Sequence, residues 1–137
     1  MAEIRAISIP GAEHLNQLRE LYCEAGWIEA GDAADFLVPA ITGSTVAAGA
    51  FENGELVGFG RALSDGCSDA YIQDVVVRKD QRGKGIGRHI IRFLEVELRC
   101  KGIDWIGLVG EPGTENYYSK LGLKKKPGYT LWKLEND

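Results

Sequence analysis

The sequence predicts an α/β (α+β) fold, a mixed but mostly antiparallel central sheet of about six to seven strands flanked by helices. Three observations predict it. Residues 44–51 and 56–63 are strand-forming runs joined by Glu52-Asn53-Gly54-Glu55, and Asn-Gly supplies the positive φ angles of a tight hairpin turn. The unbroken Val75-Val76-Val77 closing the run 70–77 marks a strand buried on both faces, as a sheet's centre requires. Ile90, Ile91, Leu94 and Leu98 then recur at helical spacing, with Arg88, Arg92, Glu95 and Arg99 off the stripe, the pattern of a helix packed on a sheet.

The elements follow in order. Ile4, Ala6 and Ser8 alternate with Arg5, Ile7 and Ile9 in a short first strand that Pro10-Gly11 ends. From Glu13 the spacing turns helical, placing Leu15, Leu18, Leu21, Tyr22 and Ala25 on one face with Gly26 as the stop. A weaker helix is expected over 32–41 with Asp32 as its N-cap. The hairpin and the central strand come next. The striped helix runs from a glycine-rich turn to about Lys101, ahead of Gly102. A strand over 103–109, a short helix over 114–121 closed by Gly122, and a last strand over 129–134 complete the order β-α-α-β-β-β-α-β-α-β. There is no internal repeat, low-complexity tract or linker, so residues 1–137 read as a single domain.

With 137 residues, 45% of them hydrophobic and 26% charged, the chain falls in the range of one globular domain that buries a core of its own. Its apolar runs are far too short to cross a bilayer, and Met1-Ala2-Glu3-Ile4-Arg5 has no basic and apolar leader pattern. The expectation is a cytoplasmic protein with no membrane partner. Cys23, Cys67 and Cys100 form an odd set without C-x-x-C spacing and read as reduced thiols. His14 and His89 lack any clustering of metal ligands, so no metal is expected. The net charge of −4 is unevenly spread, because residues 1–60 carry nine acids against two bases and the remainder fourteen bases against eleven acids. A nucleic-acid partner is not expected without a broad basic face. The split suits an anionic cofactor at one end and a cationic substrate at the other, although surface acids also serve solubility.

Arg82-Gly83-Lys84-Gly85-Ile86-Gly87 lies between the central strand and the striped helix. A helix start presents unpaired N–H groups at its positively polarised end, and alternate glycines let the backbone approach an anion without a Cβ in the way. Arg78, Lys79, Arg82, Lys84 and Arg88 add positive charge. Spacing sorts the possible phosphate motifs. A Walker loop needs G-x-x-x-x-G-K-[ST], but Lys84 is followed by Gly85. A dinucleotide fingerprint belongs in a first βαβ unit, whereas three strands precede this turn.

The remaining pattern, R-x-x-G-x-G over Arg82 to Gly87 directly after Val75-Val76-Val77-Arg78, resembles the distinctive motif of the GNAT N-acetyltransferase superfamily. A second segment, Asn116-Tyr117-Tyr118-Ser119-Lys120-Leu121-Gly122-Leu123, is similar to that family's F-Y-x-K-x-G-F landmark, and the element order is GNAT-like along the whole chain. The resemblance implies acetyl-CoA as cofactor. Its pyrophosphate would lie on Arg82, Gly83, Lys84, Gly85, Ile86, Gly87 and Arg88, and its pantetheine arm along the backbone of Val75, Val76 and Val77 like an added strand. Asn116 would hydrogen-bond the amide arm, the alternative being a cap of the short helix.

The resemblance also implies transfer of an acetyl group to a primary amine, with a small-molecule amine as the favoured acceptor. Protein lysines, protein N-termini and a non-catalytic acyl-CoA-binding role remain alternatives. Such transfer needs a neutral nitrogen, a polarised thioester carbonyl and a proton for the departing thiolate. Tyr118, the Tyr of Y-x-K-x-G, takes the last role by resemblance. A main-chain N–H freed by a bulge at the end of strand 70–77 would serve the carbonyl. Asp74 is nominated as base because a carboxylate in an apolar strand is costly unless used or satisfied. The alternatives are a structural role for Asp74 as acceptor of nearby backbone N–H groups and deprotonation of the amine through ordered water. Tyr71 stands where some family members carry a catalytic Glu. Tyr71, Gln73 and Trp27 are the candidate acceptor-side residues, Trp27 lying between two helices in the region that closes over the acceptor pocket in that superfamily. The last strand offers an edge for a possible homodimer.

Overall fold

The structure, a computed structural model, describes residues 2–136. The chain forms two compact units, Met1–Gly107 and Leu108–Asp137. The first holds β1 (Glu3–Ala6), α1 (Ala12–Glu24), α2 (Leu37–Thr42), β2 (Val46–Glu52), β3 (Glu55–Ser64), β4 (Asp69–Val77), a 3₁₀ turn at Lys79–Gln81 and α3 (Ile86–Cys100). β5 (Trp105–Leu108) ends at the boundary, its first three residues in the first unit, and the second unit carries α4 (Glu115–Lys120).

Five strands lie in the order β1-β2-β3-β4-β5, with β1 to β4 paired antiparallel. The β2–β3 hairpin turns where expected, with Asn53 at φ 51° and Gly54 at φ 79°. Alternation in β3 explains the two packed faces. Phe59 joins Leu18, Leu21 and Tyr22 of α1 in one core, whereas Gly58 and Gly60 face α3. A Cβ on Gly60 would lie 2.7 Å from Ile90 Cγ2, and one on Gly58 3.0 Å from Ile90 Cδ1. Glycine at these two positions lets the striped face of α3 reach the sheet. That face, Ile86, Ile90, Ile91, Leu94 and Leu98, is buried as its spacing requires.

Two expected elements differ. The weak helix over 32–41 is confined to Leu37–Thr42, with Phe36 rather than Asp32 at the N-cap position. Residues 29–32 close a turn of their own: the Glu29 N–H donates to Asp32 Oδ2 at 2.8 Å, and Arg19 donates to the Ala30 and Asp32 carbonyls. Asp32 thus caps a turn instead of a helix. The last strand over 129–134 is not formed, which leaves five strands among the described residues instead of six to seven. Tyr129, Leu131, Trp132 and Leu134 are 86%, 71%, 88% and 95% exposed. Both sides of the segment are bare, and a strand without a neighbouring backbone or a buried face has nothing to stabilise it.

Candidate active site

The end of β4 leads through the 3₁₀ turn into a loop whose shape is set by two left-handed glycines, Gly83 at φ 81° and Gly85 at φ 82°. A Cβ on Gly83 would meet nothing within 4 Å, and one on Gly85 only His89 Cε1 at 3.9 Å. Dihedral demand, not crowding, therefore selects glycine at both positions, and the space above them is open. Gly85 caps α3, and the first of its helical N–H bonds runs from His89 to the Gly85 carbonyl at 3.0 Å. The N–H groups of Ile86, Gly87 and Arg88 come before it and have no acceptor four residues back in the helix. A 15-residue helix adds its dipole at this end.

The side chains around the loop fit an anion. Arg82, Lys84 and Arg88 are exposed, while Ile86 and Gly87 are buried and anchor the helix start. Arg82 Nε donates to the Val77 carbonyl at 2.9 Å, folding the loop against the strand end, and Lys84 Nζ bonds Gln81 Oε1 at 3.0 Å. Arg78 is committed elsewhere, paired with Asp80 at 2.7 Å and Glu55 at 3.1 Å. Glu24 accepts the Lys79 N–H at 2.6 Å and ties the turn to the end of α1. Open glycines, unmatched N–H groups and exposed cations together suit a pyrophosphate.

Upstream, β4 carries the expected bulge. Gln73 pairs with Arg61 and Val76 with Phe59, so Asp74 and Val75 face the single residue Gly60. Asp74 takes φ 57° within the strand. Paired residues share a face, which puts Tyr71, Gln73, Asp74 and Val76 on the α1 side with Phe59 and Arg61. The Asp74 carboxylate is engaged twice through one oxygen: Tyr22 donates its hydroxyl to Oδ2 at 2.7 Å and Arg61 donates Nε at 2.8 Å. The structural-acceptor account expected backbone donors for Asp74; these donors are side chains. Burial first, and then the hydrogen bond and charge of Asp74, push the Tyr22 hydroxyl well above its ordinary value.

Of the acceptor-side candidates, Trp27 is half-buried and meets Tyr22 edge-on, with ring centroids 5.1 Å apart. Tyr71 is half exposed and lies against Trp105, centroids 5.3 Å apart. Gln73 lies two residues beyond Tyr71 on β4, directly opposite Arg61. The structure thus brings Tyr71, Gln73 and Asp74 onto one face together with Tyr22, the ring against which Trp27 packs.

The second unit carries the remaining candidates on α4. Tyr117 and Tyr118 meet edge-on at 5.1 Å between centroids. Burial, followed by the neighbouring Tyr117 and Glu111 charges, raises the Tyr118 hydroxyl above its ordinary value. Asn116 is exposed in the first turn, and the N-cap position falls on Thr114, whose hydroxyl bonds the Glu111 carbonyl. Asn116 is therefore not the cap.

Sequence reasoning missed Tyr22 and Arg61 as partners of Asp74. Tyr22 looked like one more apolar residue of α1. Arg61 was a charge inside the apolar run 56–63, the same irregularity that had singled out Asp74.

Comparison with known proteins agrees with this geometry. Residues 12–123 match the Acetyltransferase (GNAT) family. An uncharacterized N-acetyltransferase, ycf52, of Pyropia yezoensis is 44% identical over 75 residues, 55% of this chain and 43% of that protein. The chloroplastic serotonin N-acetyltransferase 2 of Oryza sativa subsp. japonica is 39% identical over 74 residues, 54% of this chain and 37% of that protein. These matches span about two fifths of the curated relatives' length. An aminoglycoside 6′-N-acetyltransferase solved with coenzyme A shares the fold at 22% identity, with a TM-score of 0.77 over 88% of this chain and 83% of that one. Among the described residues, no helix is long and apolar enough to cross a membrane. With a left-handed glycine loop, a bulged central strand and a family match over most of its length, the chain belongs to the GNAT acetyltransferase family.

Proposed function

We propose that this chain is an acetyl-CoA-dependent N-acetyltransferase that acetylates a primary amine, a small-molecule amine being the favoured acceptor. The observation that carries the reading is the Gly83–Arg88 loop, where open left-handed glycines and three N–H groups without helical acceptors follow a bulged strand across one 3₁₀ turn. Acetyl-CoA, when bound, supplies an activated thioester carbonyl. Ile86, Gly87 and Arg88 would donate N–H groups to its pyrophosphate, Arg82, Lys84 and the Arg88 side chain would offset its charge, and the Val75 to Val77 backbone would align the arm. Asn116 is the proposed partner of an arm amide.

The amine nitrogen would attack the carbonyl carbon and give up one proton to a base as the C–S bond breaks, and the departing sulfur would take another. We assign that proton to the Tyr118 hydroxyl, whose raised pKa keeps it protonated through the neutral range. Asp74 Oδ2 already accepts from Tyr22 and Arg61, which supports ordered water rather than Asp74 as the immediate base. The exposed Tyr71–Trp105 pair, with Gln73 on the same face, supports an acceptor that carries apolar or aromatic surface beside its amine.

Thermal shift tests the cofactor first. Acetyl-CoA and CoA are expected to raise Tm where NAD and ATP do not, and equal shifts from all four would remove the assignment. CoA release is then measured across polyamines, aminoglycosides, arylalkylamines, amino acids and lysine peptides. Preference for peptides would move the acceptor to protein. With the best acceptor, Tyr118→Phe is expected to lower kcat about 100-fold with the KM for acetyl-CoA little changed. Unchanged kcat would take Tyr118 out of the role.

A further inference from the structure

Asp74 holds a left-handed backbone, φ 57°, in the middle of β4. Asn53, the other described non-glycine residue with positive φ, sits in a hairpin turn whose geometry demands it. Nothing of that kind applies inside a strand, where such a backbone persists only when its surroundings impose it. The register shows what it achieves: Asp74 and Val75 together occupy the space opposite Gly60. Val75 then turns toward α3, its Cγ2 3.4 Å from where a Gly60 Cβ would stand, and the Asp74 carboxylate turns toward α1.

Two elements hold that carboxylate. Tyr22 of α1, 3% exposed, donates to Oδ2 at 2.7 Å, and its ring is braced edge-on by Trp27 and by Phe36 at 5.9 Å. Arg61 of β3 donates Nε to the same oxygen at 2.8 Å. The Arg61 NH1 group also reaches Ser44 Oγ at 3.4 Å and the Ala40 carbonyl at 3.5 Å, so the guanidinium spans from the bulge to the end of α2. Charge-assisted bonds of this length between partly buried groups are the strong kind.

We propose that Tyr22 and Arg61 are positioning residues that clamp the Asp74 carboxylate and so hold the β4 bulge in the shape acetyl transfer requires. The carboxylate acts by fixing the main chain at Asp74–Val75, next to the Val75–Val77 backbone along which the thioester arm would run. Its kinetic consequence rests on the acetyltransferase reading above. The clamp itself is readable without turnover.

The decisive comparison is Asp74→Ala against Asp74→Gly. Both delete the carboxylate, but alanine resists a left-handed backbone and glycine adopts it freely. Because small misplacements of a reacting group are costly, Asp74→Ala is expected to lower kcat about 30-fold and Asp74→Gly to recover about 10-fold of that loss, with the CoA Kd of both within about threefold of the parent. Arg61→Met is expected to lower kcat about as far as Asp74→Ala and to add little in the Asp74→Gly background, since residues acting as one unit are not additive. Tyr22→Phe, which keeps the ring and removes one donor, is expected to lower kcat a few-fold without changing KM, and it serves where a larger change prevents folding. Independently of activity, amide exchange over 72–77 is expected to quicken in Arg61→Met while that of α3 stays constant. Asp74→Gly as inactive as Asp74→Ala would show that the carboxylate takes part in the chemistry. Parental kcat in Tyr22→Phe, or parental exchange in Arg61→Met, would equally overturn the clamp. Failure of the parent protein to bind CoA or turn over any amine overturns the acetyltransferase reading instead, and the exchange result still decides the clamp.

Discussion

Tyr22 shows how one side chain carries two duties. Its ring completes the α1 core with Leu18, Leu21 and Phe59, and its hydroxyl satisfies Asp74. Burial and the adjacent carboxylate both oppose its ionisation and raise its pKa above the ordinary value of about 10. The sign follows from linkage. The unfolded chain releases the Tyr22 proton near its ordinary pKa while the folded chain keeps it, so this contribution is fully present below about pH 10 and declines as pH rises beyond it. Tyr22→Phe is therefore expected to have a flatter fall of Tm between about pH 10 and pH 12 than the parent, measured by calorimetry. Parallel curves would show that Tyr22 ionisation does not limit alkaline stability. At this scale the sequence was informative wherever a residue broke its local pattern. Asp74 stood out as a charge in an apolar strand and the loop glycines stood out by spacing. Tyr22 fitted its amphipathic face too well to attract notice, because its polar contact is with a residue 52 positions away.

Among the elements, those specified by local chemistry were legible. Asn53-Gly54 fixed the hairpin through its positive φ angles, and the apolar stripe fixed α3. α2 was misjudged because Asp32 closes a turn through contacts with Glu29 and Arg19, and the Arg19 part of that arrangement comes from another helix. The close seat of α3 on the sheet was not legible either, since Gly58 and Gly60 look like interruptions of a strand until the helix above them is known. Their role yields a test. A Cβ on Gly60 would stand 2.7 Å from Ile90 Cγ2 and 3.3 Å from Leu94 Cδ1, inside a packed interface. Gly60→Ala is expected to cost about 1–3 kcal/mol of folding stability through overpacking, read from urea denaturation. Pairing it with Ile90→Leu, which removes the Cγ2 branch at nearly constant volume, should return part of the loss. No cost for Gly60→Ala alone would mean that α3 lifts from the sheet at little expense.

Across the whole chain, burial is concentrated in the first unit. Every residue of the buried apolar core, from Leu18 to Ile103, lies within Met1–Gly107. The second unit has a six-residue helix, and beyond it residues 122–136 are largely exposed without a described helix or strand. The run 129–134 reads as a strand in sequence, but such a run forms one only where a sheet edge accepts its backbone and one face is buried. Amide exchange separates the two regimes, because protection follows hydrogen bonding and burial. Amides of β2, β3 and α3 are expected to exchange most slowly, and those over 122–136 within the shortest labelling time. Acetyl-CoA is expected to slow exchange at Gly83–Arg88, where its phosphates would occupy the N–H groups. Protection over 129–134 matching that of β3 in the free protein would restore the sixth strand. Protection arising there only at high protein concentration would place its partner on a second copy of the chain.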